Sequence, residues 1–270
     1  MALKIATWNI NSVRLRSVLV QRLLADEKPD ILCLQETKCQ DSEFPAGDFK
    51  ELGYKHIALN GQKGYHGVAI LSRHPFASST VKEFGGKPDS RHVSVTFDGG
   101  KKALEGLTIH NFYVPAGGDV PNPDENEKFA HKLAFLDHMT SWGTKDKPTK
   151  KPAVLVGDLN VAPLEHDVWS HKQMRDVVSH TPIECEKMNA AISSGKWVDS
   201  MRLLRPEPEK LYTWWSYRAQ DWAASNRGRR LDHMWVSPDL APDVKKIDIL
   251  RDARSWERPS DHVPVIMTIG

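Results

Sequence analysis

Several apolar runs in this chain end abruptly in an acid, an amide or an imidazole. Ile5 to Trp8 runs into Asn9, Ile31 to Gln35 into Glu36, Val154 to Gly157 into Asp158 and then Asn160, and Asp232 follows Arg230 and Leu231. Burying an unpaired carboxylate is costly, so acids that abut core segments need partners or a metal. Ser260, Asp261 and His262 stand just ahead of the last apolar run and enlarge the group. Asp158 and Asn160 are two residues apart, which in extended backbone places both side chains on one face. One of the pair can position or deprotonate a water while the other donates to an anion; the competing reading is a turn, since Gly157, Asp158 and Asn160 are turn formers. Glu36 offers the hard oxygen that Mg²⁺ prefers, and such sites need only one or two carboxylates, with water and substrate phosphate completing the shell. The histidines follow no zinc-ligand spacing, and His131, His166, His171 and His180 are expected at the surface.

Together these groups suit phosphodiester hydrolysis. That reaction needs a water in line with the leaving oxygen, neutralisation of charge on phosphate, and stabilisation of the departing 3′-oxygen. A carboxylate, a metal and an imidazole supply these separately. An aspartate beside a histidine would hold its tautomer and favour its charged form, because a nearby negative charge raises an imidazole pKa. Either Asp158 or a histidine–aspartate pair takes the proton from water, and Asp158 is favoured.

Such groups must be held on a frame. Apolar runs recur at Leu3 to Thr7, Ile31 to Leu34, Val68 to Leu71, Val93 to Phe97, Leu107 to Val114, Ala153 to Val156, Leu231 to Val236 and Val263 to Ile269. Their length, β-branching and Gly, Pro or Asp flanks predict strands. Several are continuous rather than alternating, as in strands covered on both faces. Leu15, Val18, Leu19 and Leu23 predict a helix capped by Ser12, and Phe129, Leu133, Leu136 and Met139 another starting after Asp124. The pattern implies packed sheets flanked by helices, an α/β sandwich. The segments 115–125 and 143–152 read as loop excursions, and residues 1–270 as one domain without internal repeats.

Composition narrows the class. With 40% apolar and 27% charged residues, the 270-residue chain reads as globular rather than disordered. No apolar run reaches the ~18 residues that span a bilayer, and Met1 to Ile10 lacks the plan of a secretory signal, so a cytoplasmic protein without membrane contact is expected. Cys33, Cys39 and Cys185 match no disulfide or zinc framework and read as reduced, with Cys33 in the core. A net charge of +2 is too balanced to announce a nucleic-acid binder, so any footprint is local: Lys145 to Lys151, or Asn226 to Arg230. The segment Leu211 to Trp222 is rich in aromatic residues, which beside a nuclease site can stack on bases or form an apolar pocket for a bare deoxyribose. Trp215 and Tyr217 are expected in the core.

The motifs Trp8 to Asn11, Leu34 to Lys38, Gly67 to Ser72, Tyr113 to Pro115, Gly157 to Val161, Arg230 to Asp232 and Ser260 to Pro264 occur in this order across nearly the whole chain. Together they resemble the exonuclease III family of apurinic/apyrimidinic endonucleases, in the deoxyribonuclease I-like superfamily. The resemblance implies a four-layer α/β sandwich, two packed mixed β-sheets flanked by helices, with a catalytic cleft at one end. It implies Mg²⁺, with Mn²⁺ as a substitute, held by Glu36 in a group with Asn9, Asn11 and Asp261. Asn9, Asp158 and Asn160 would surround the phosphate and water, Tyr113 would contact phosphate, and His262 with Asp232 would donate to it. Arg91, Trp214, Asn226 and Arg229 would bind substrate. The implied substrate is duplex DNA with abasic sites or 3′ ends, cut by a monomer 5′ to the lesion, with 3′→5′ exonuclease and end-cleaning activity. Arg229 stands where relatives carry an apolar wedge, and Asn11 where eukaryotic members carry aspartate, as fits the bacterial branch. Two rivals remain, a phosphodiesterase or phosphatase acting on non-DNA phosphoesters and a catalytically silent DNA-binding module.

Overall fold

Successive side chains of a strand point to opposite faces, and along β1 (Leu3–Asn9) that alternation separates Leu3 and Ile5, which face one core, from Ala6 and Trp8, which face another. A strand buried on both sides requires layers above and below it. The computed structural model, which describes residues 2–99 and 101–270, supplies them. The remaining strands are β2 (Ile31–Gln35), β3 (His56–Asn60), β4 (Val68–Ser72), β5 (Ser78–Thr80), β6 (His92–Thr96), β7 (Thr108–Tyr113), β8 (Ala153–Asp158), β9 (Val198–Asp199), β10 (Asp232–Val236), β11 (Val244–Ile249) and β12 (Val265–Ile269). They form two six-stranded sheets, ordered β11-β12-β1-β2-β4-β3 and β5-β6-β7-β8-β10-β9. Both are mixed: β1 runs parallel to β2 and β7 parallel to β8, while every other pairing is antiparallel.

The sheets pack face to face through Ile5, Ile31, Ile70 and Met267 on one side and Val95, Ile109, Val156 and Met234 on the other. Each fully buried side chain of this kind contributes roughly 1.5–3 kcal/mol. Helices α1 (Ser17–Asp26) and α2 (Ala46–Glu51) close the outer face of the first sheet over Trp8, Leu34 and Leu71. Helix α3 (Glu127–Asp146) covers Phe112, Leu155 and Trp235 of the second sheet. The short α4 (His171–Met174) follows, then α5 (Pro182–Gly195), which packs with α3 on the same face. The short helices α6 (Ser200–Leu204) and α7 (Trp222–Ser225) complete the set. This is the expected four-layer α/β sandwich, and each of the eight apolar runs contains strand, with end residues such as Phe97, Leu107, Val114, Leu231 and Val263 outside it.

Other expectations are corrected. Helix α1 begins at Ser17, not after Ser12, and its buried stripe is Leu19, Val20, Leu23 and Leu24. Leu15 lies before the helix and Val18 on its far side, 58% and 74% exposed. Helix α3 is capped by Asn126 rather than Asp124: the Asn126 side chain accepts from the Lys128 amide. It also runs through Asp146 into the segment expected to be a loop. Its apolar stripe, Phe129, Leu133, Leu136 and Met139, is buried as expected. His131 and His180 are buried, not superficial. Trp215 is buried, but Tyr217 is 48% exposed. Its hydroxyl instead bonds the Pro259 carbonyl, and Arg16 donates to it.

Candidate active site

The strand order carries the polar strand ends to one edge of the sandwich. In the first sheet β1 ends at Asn9 beside Gln35 of β2, and Glu36 follows with a left-handed backbone (φ 50°). In the second, β7 ends at Tyr113 beside Asp158 of β8, and Asp232 opens β10 opposite Asp158. Gly157 makes that juxtaposition possible. A Cβ there would lie 1.9 Å from the Phe112 carbonyl oxygen, and φ is 141°. Only glycine lets the two strands come this close.

The amide of Asn9 joins the two sheets. Its Nδ2 donates to Glu36 Oε1 and to Asp158 Oδ2, both at 2.8 Å, while its Oδ1 accepts from the Asn11 amide at 3.1 Å. Tyr113 donates its hydroxyl to Glu36 Oε1 at 2.9 Å. Strand β8 stops at Asp158, and Asn160 is left-handed (φ 52°), not extended as its spacing suggested. The turn nevertheless brings the pair together. Asn160 donates its backbone N–H to Asp158 Oδ1 at 3.0 Å and its side chain to Oδ2 at 3.1 Å. The backbone thus follows the turn reading, and the turn itself brings the two side chains into contact.

Behind Asp158 stands a histidine between carboxylates. His262 Nδ1 lies 2.8 Å from Asp232 Oδ2, and its Nε2 lies 3.6 Å from Asp158 Oδ2. All three side chains are buried, and Asp232 Oδ1 has no hydrogen-bond partner. Burial alone would lower the His262 pKa, but Asp232 and Asp158 outweigh it and raise the value to about 10. Burial raises Asp158 to about 7, against the pull of His262 and the Asn9 hydrogen bond. Tyr113 is pushed well above the ordinary phenol value by burial and by the Glu36 and Asp158 charges, so its hydroxyl keeps its proton.

A cation is already drawn to the mouth of the site. The Lys38 ammonium lies 2.8 Å from Glu36 Oε2 and donates to Asn11 Oδ1 at 2.7 Å. Asn11 Nδ2 donates in turn to Asp261 Oδ1 at 3.1 Å, and Trp214 Nε1 donates to Asp261 Oδ2 at 2.9 Å. Glu36, Asn11 and Asp261 thus offer hard oxygens of the kind that Mg²⁺ or Mn²⁺ takes, and the ammonium shows that the place suits positive charge. Asp158, Asp232 and His262 also cluster with ligand atoms within 4.8 Å of one another, a second set of groups that could hold a metal.

Glu36, Asp158, Asn160, Asp261 and His262 line a cavity of about 740 Å³ that also contains Trp214 and Arg229. Arg229 reaches it with Nη1 bonded to the Val178 carbonyl and Ser179 Oγ at 3.1 and 2.9 Å. Two candidate residues lie elsewhere. Arg91 is buried behind Tyr113, stacked 4.9 Å from its ring and paired with Asp89 at 2.9 Å. Asn226 is exposed, and its Oδ1 accepts from Trp215 Nε1 and Arg251. Arg230 is removed from the proposed DNA footprint, because it is fully buried and pairs with Asp167 and Asp199 at 2.8 and 2.6 Å. The expectations passed over Lys38 itself, whose only signal is its position two residues after Glu36. They also passed over Thr213, whose hydroxyl accepts the Leu231 and Asp232 amides, and gave no role to Ser260, whose hydroxyl bonds the Asn9 carbonyl.

Residues 6–262 match the family model described as the Endonuclease/Exonuclease/phosphatase family. Exodeoxyribonuclease III of Haemophilus influenzae is 29% identical over 97% of this chain and 98% of its own length. Among solved structures, an AP endonuclease from Archaeoglobus fulgidus superposes with a TM-score of 0.89 at 32% identity, over 99% of both chains. The 3′ phosphatase NExo from Neisseria, bound to a product DNA hairpin, gives 0.87 at 33%, again over 99% of both.

Proposed function

The chain belongs to the Endonuclease/Exonuclease/phosphatase family, in its exonuclease III and AP endonuclease branch, and from that premise we propose a Mg²⁺-dependent DNA repair nuclease. It hydrolyses phosphodiester bonds 5′ to abasic sites and removes nucleotides and blocking groups from 3′ ends of duplex DNA. The observation that carries this reading is the Asn9 bridge, which fixes Glu36 and Asp158 on one amide with the His262–Asp232 pair behind them.

Each group then has a task. Asp158, a carboxylate whose basicity burial has increased, takes the proton of the attacking water. Asn160 holds that carboxylate in place. His262, kept charged by Asp232, presents Nε2 as a donor to a non-bridging phosphate oxygen. The Tyr113 hydroxyl serves as a further donor. Glu36, with Asn11 and Asp261, would hold the metal, which supplies positive charge to phosphate and the departing 3′-oxygen. Asn9 bridges Glu36 and Asp158 through Nδ2, and its Oδ1 would be a further oxygen donor beside Asn11. Trp214 and Arg229 line the substrate cavity, and Arg91 braces Tyr113.

Cleavage of an end-labelled duplex carrying one abasic analogue, beside an intact duplex, with Mg²⁺ and with EDTA, tests the proposal. The expected product is Mg²⁺-dependent incision immediately 5′ to the analogue. Shortening from the 3′ end alone would remove abasic incision from the reading, and intact DNA in every lane would overturn it.

A further inference from the structure

Lys132 is a charge on the apolar side of a helix. It lies in α3 between Phe129 and Phe135, all three side chains fully buried, and it pairs with Glu184 of α5, which is equally closed to water. An ammonium has three N–H donors, and all are used. Besides Glu184, Lys132 Nζ donates to the Asn160 carbonyl at 2.7 Å and to the Ala116 carbonyl at 3.2 Å. Its stem has no slack: Gly117 passes over it with a left-handed backbone (φ 92°), and a Cβ there would lie 2.9 Å from Lys132 Cδ. Glu184 is anchored in turn, accepting the Ser179 amide at 2.9 Å, the Thr181 amide at 3.1 Å and the Thr181 hydroxyl at 2.6 Å. The counter-charge is thus fixed from its far side.

Stability alone does not explain this pair. Withdrawing two charges from water is so costly that apolar residues of the same volume often serve a fold as well or better, and α3 and α5 already pack through Leu136, Met139, Met188 and Ala191. The place of the ammonium does explain it. The carbonyl it holds belongs to Asn160, the left-handed residue whose backbone N–H and side chain both grip Asp158, at 3.0 and 3.1 Å. Ala116, its other carbonyl partner, lines the same cleft as Asp158. We propose that Lys132 is a positioning residue for hydrolysis: through the Asn160 carbonyl it holds the turn that aims Asp158 at the attacking water, with Glu184 as the counter-charge that sustains a buried cation there. The inference rests on the nuclease reading above. Burial draws the Lys132 pKa down and the Glu184 charge opposes that, so the pair retains its donors. Lys132 touches no reacting atom, and its effect reaches Asp158 by way of residue 160.

The test measures steady-state cleavage, with Mg²⁺, of a duplex that has a recessed 3′ end. Lys132→Met together with Glu184→Gln removes both charges and strands neither, and the new amide still accepts from Ser179 and Thr181. The denaturant midpoint of this doubly substituted protein should stay near the wild-type value, while kcat falls by about tenfold or more, as misplaced reacting groups cause, with KM within about twofold. Asn160→Ala should lower kcat as well, and added to the double substitution it should cost little more, because both act on Asp158 through one turn. A wild-type kcat in the folded double variant, or losses that multiply in the combination, would overturn the inference. Lys132→Gln, a shorter neutral donor that leaves Glu184 in place, gives a second reading: kcat should again fall with KM little moved, and a wild-type kcat would be equally fatal. Failure of the wild-type protein to cut DNA at all would instead overturn the nuclease reading.

Discussion

Asn9 holds two carboxylates, one from each sheet, on a single amide nitrogen, so the removal of either acid disturbs a shared arrangement. Glu36→Ala, Asp158→Asn and His262→Asn are each expected to lower turnover by about 10² or more while leaving the fold largely intact, as positioned acid–base and electrostatic groups do. Steady-state rates paired with circular dichroism check this, and wild-type rates in all three would remove the assignment. The pH profile follows from Asp158. Burial raises its pKa to about 7, and the charged form is the one that accepts a proton, so the rate should fall as pH drops from above that value. An acid limb near pH 4, the usual carboxylate range, would show that another group accepts the proton. These acids were legible in the sequence because a charge ending an apolar run is conspicuous. Lys38 and Thr213 were not, because a lysine or a threonine in a loop carries no signal until its partners are known.

The elements were legible in the interior and lost at the edges. Every run read as a strand contains one, and the strands not anticipated, β3, β5, β9 and β11, are the outermost strands of the two sheets. An edge strand is covered less and keeps polar side chains as a guard against further pairing. Accordingly β5 is exposed throughout, and β11 reads Val-Lys-Lys-Ile-Asp-Ile. Arg230 illustrates the opposite error, a charge taken for surface that is core. Its guanidinium, with that of Arg202, lowers the Asp167 pKa against the effect of burial. This network joins the segment at Asp167 to the start of β10 and to Asp199. Arg230→Met should cost on the order of 3 kcal/mol by stranding a buried carboxylate, seen as a lower midpoint in denaturant. The salt dependence of DNA binding should not change, and a flatter salt slope would return Arg230 to the DNA interface.

Over the molecule as a whole, acid should be destabilising well above the pH at which carboxylates titrate. His110 and His233 are lowered to about 4 by burial and His92 well below its ordinary value, so between roughly pH 6.5 and 4 they take up protons only when unfolded. Stability is therefore lost as pH falls through that window, by about 1.4 kcal/mol per pH unit for each such histidine. Asp158, raised to about 7, works in the opposite sense and offsets about one of the three. His262, raised to about 10, adds stability that is complete below pH 6.5 and fades as pH climbs towards 10. Denaturant melts at pH 5, 7 and 9.5 should show the midpoint highest at pH 7. A molecule more stable at pH 5 than at pH 7 would contradict the buried neutral state of these histidines.

The contacts from Trp8 Nε1 to the His262 carbonyl and from Ser260 Oγ to the Asn9 carbonyl span 254 and 251 residues of chain. The longest loops closed by these contacts are the ones that complete the site. A chain still attached to the ribosome, with Glu36 and Asp158 already synthesised, has no His262 to set against them. It cannot nick the nucleic acid around it, and competence arrives only when synthesis has passed residue 262 and both sheets have docked. After unfolding, the recovery of cleavage should lag behind the recovery of secondary structure, because contacts of the longest sequence separation form slowly.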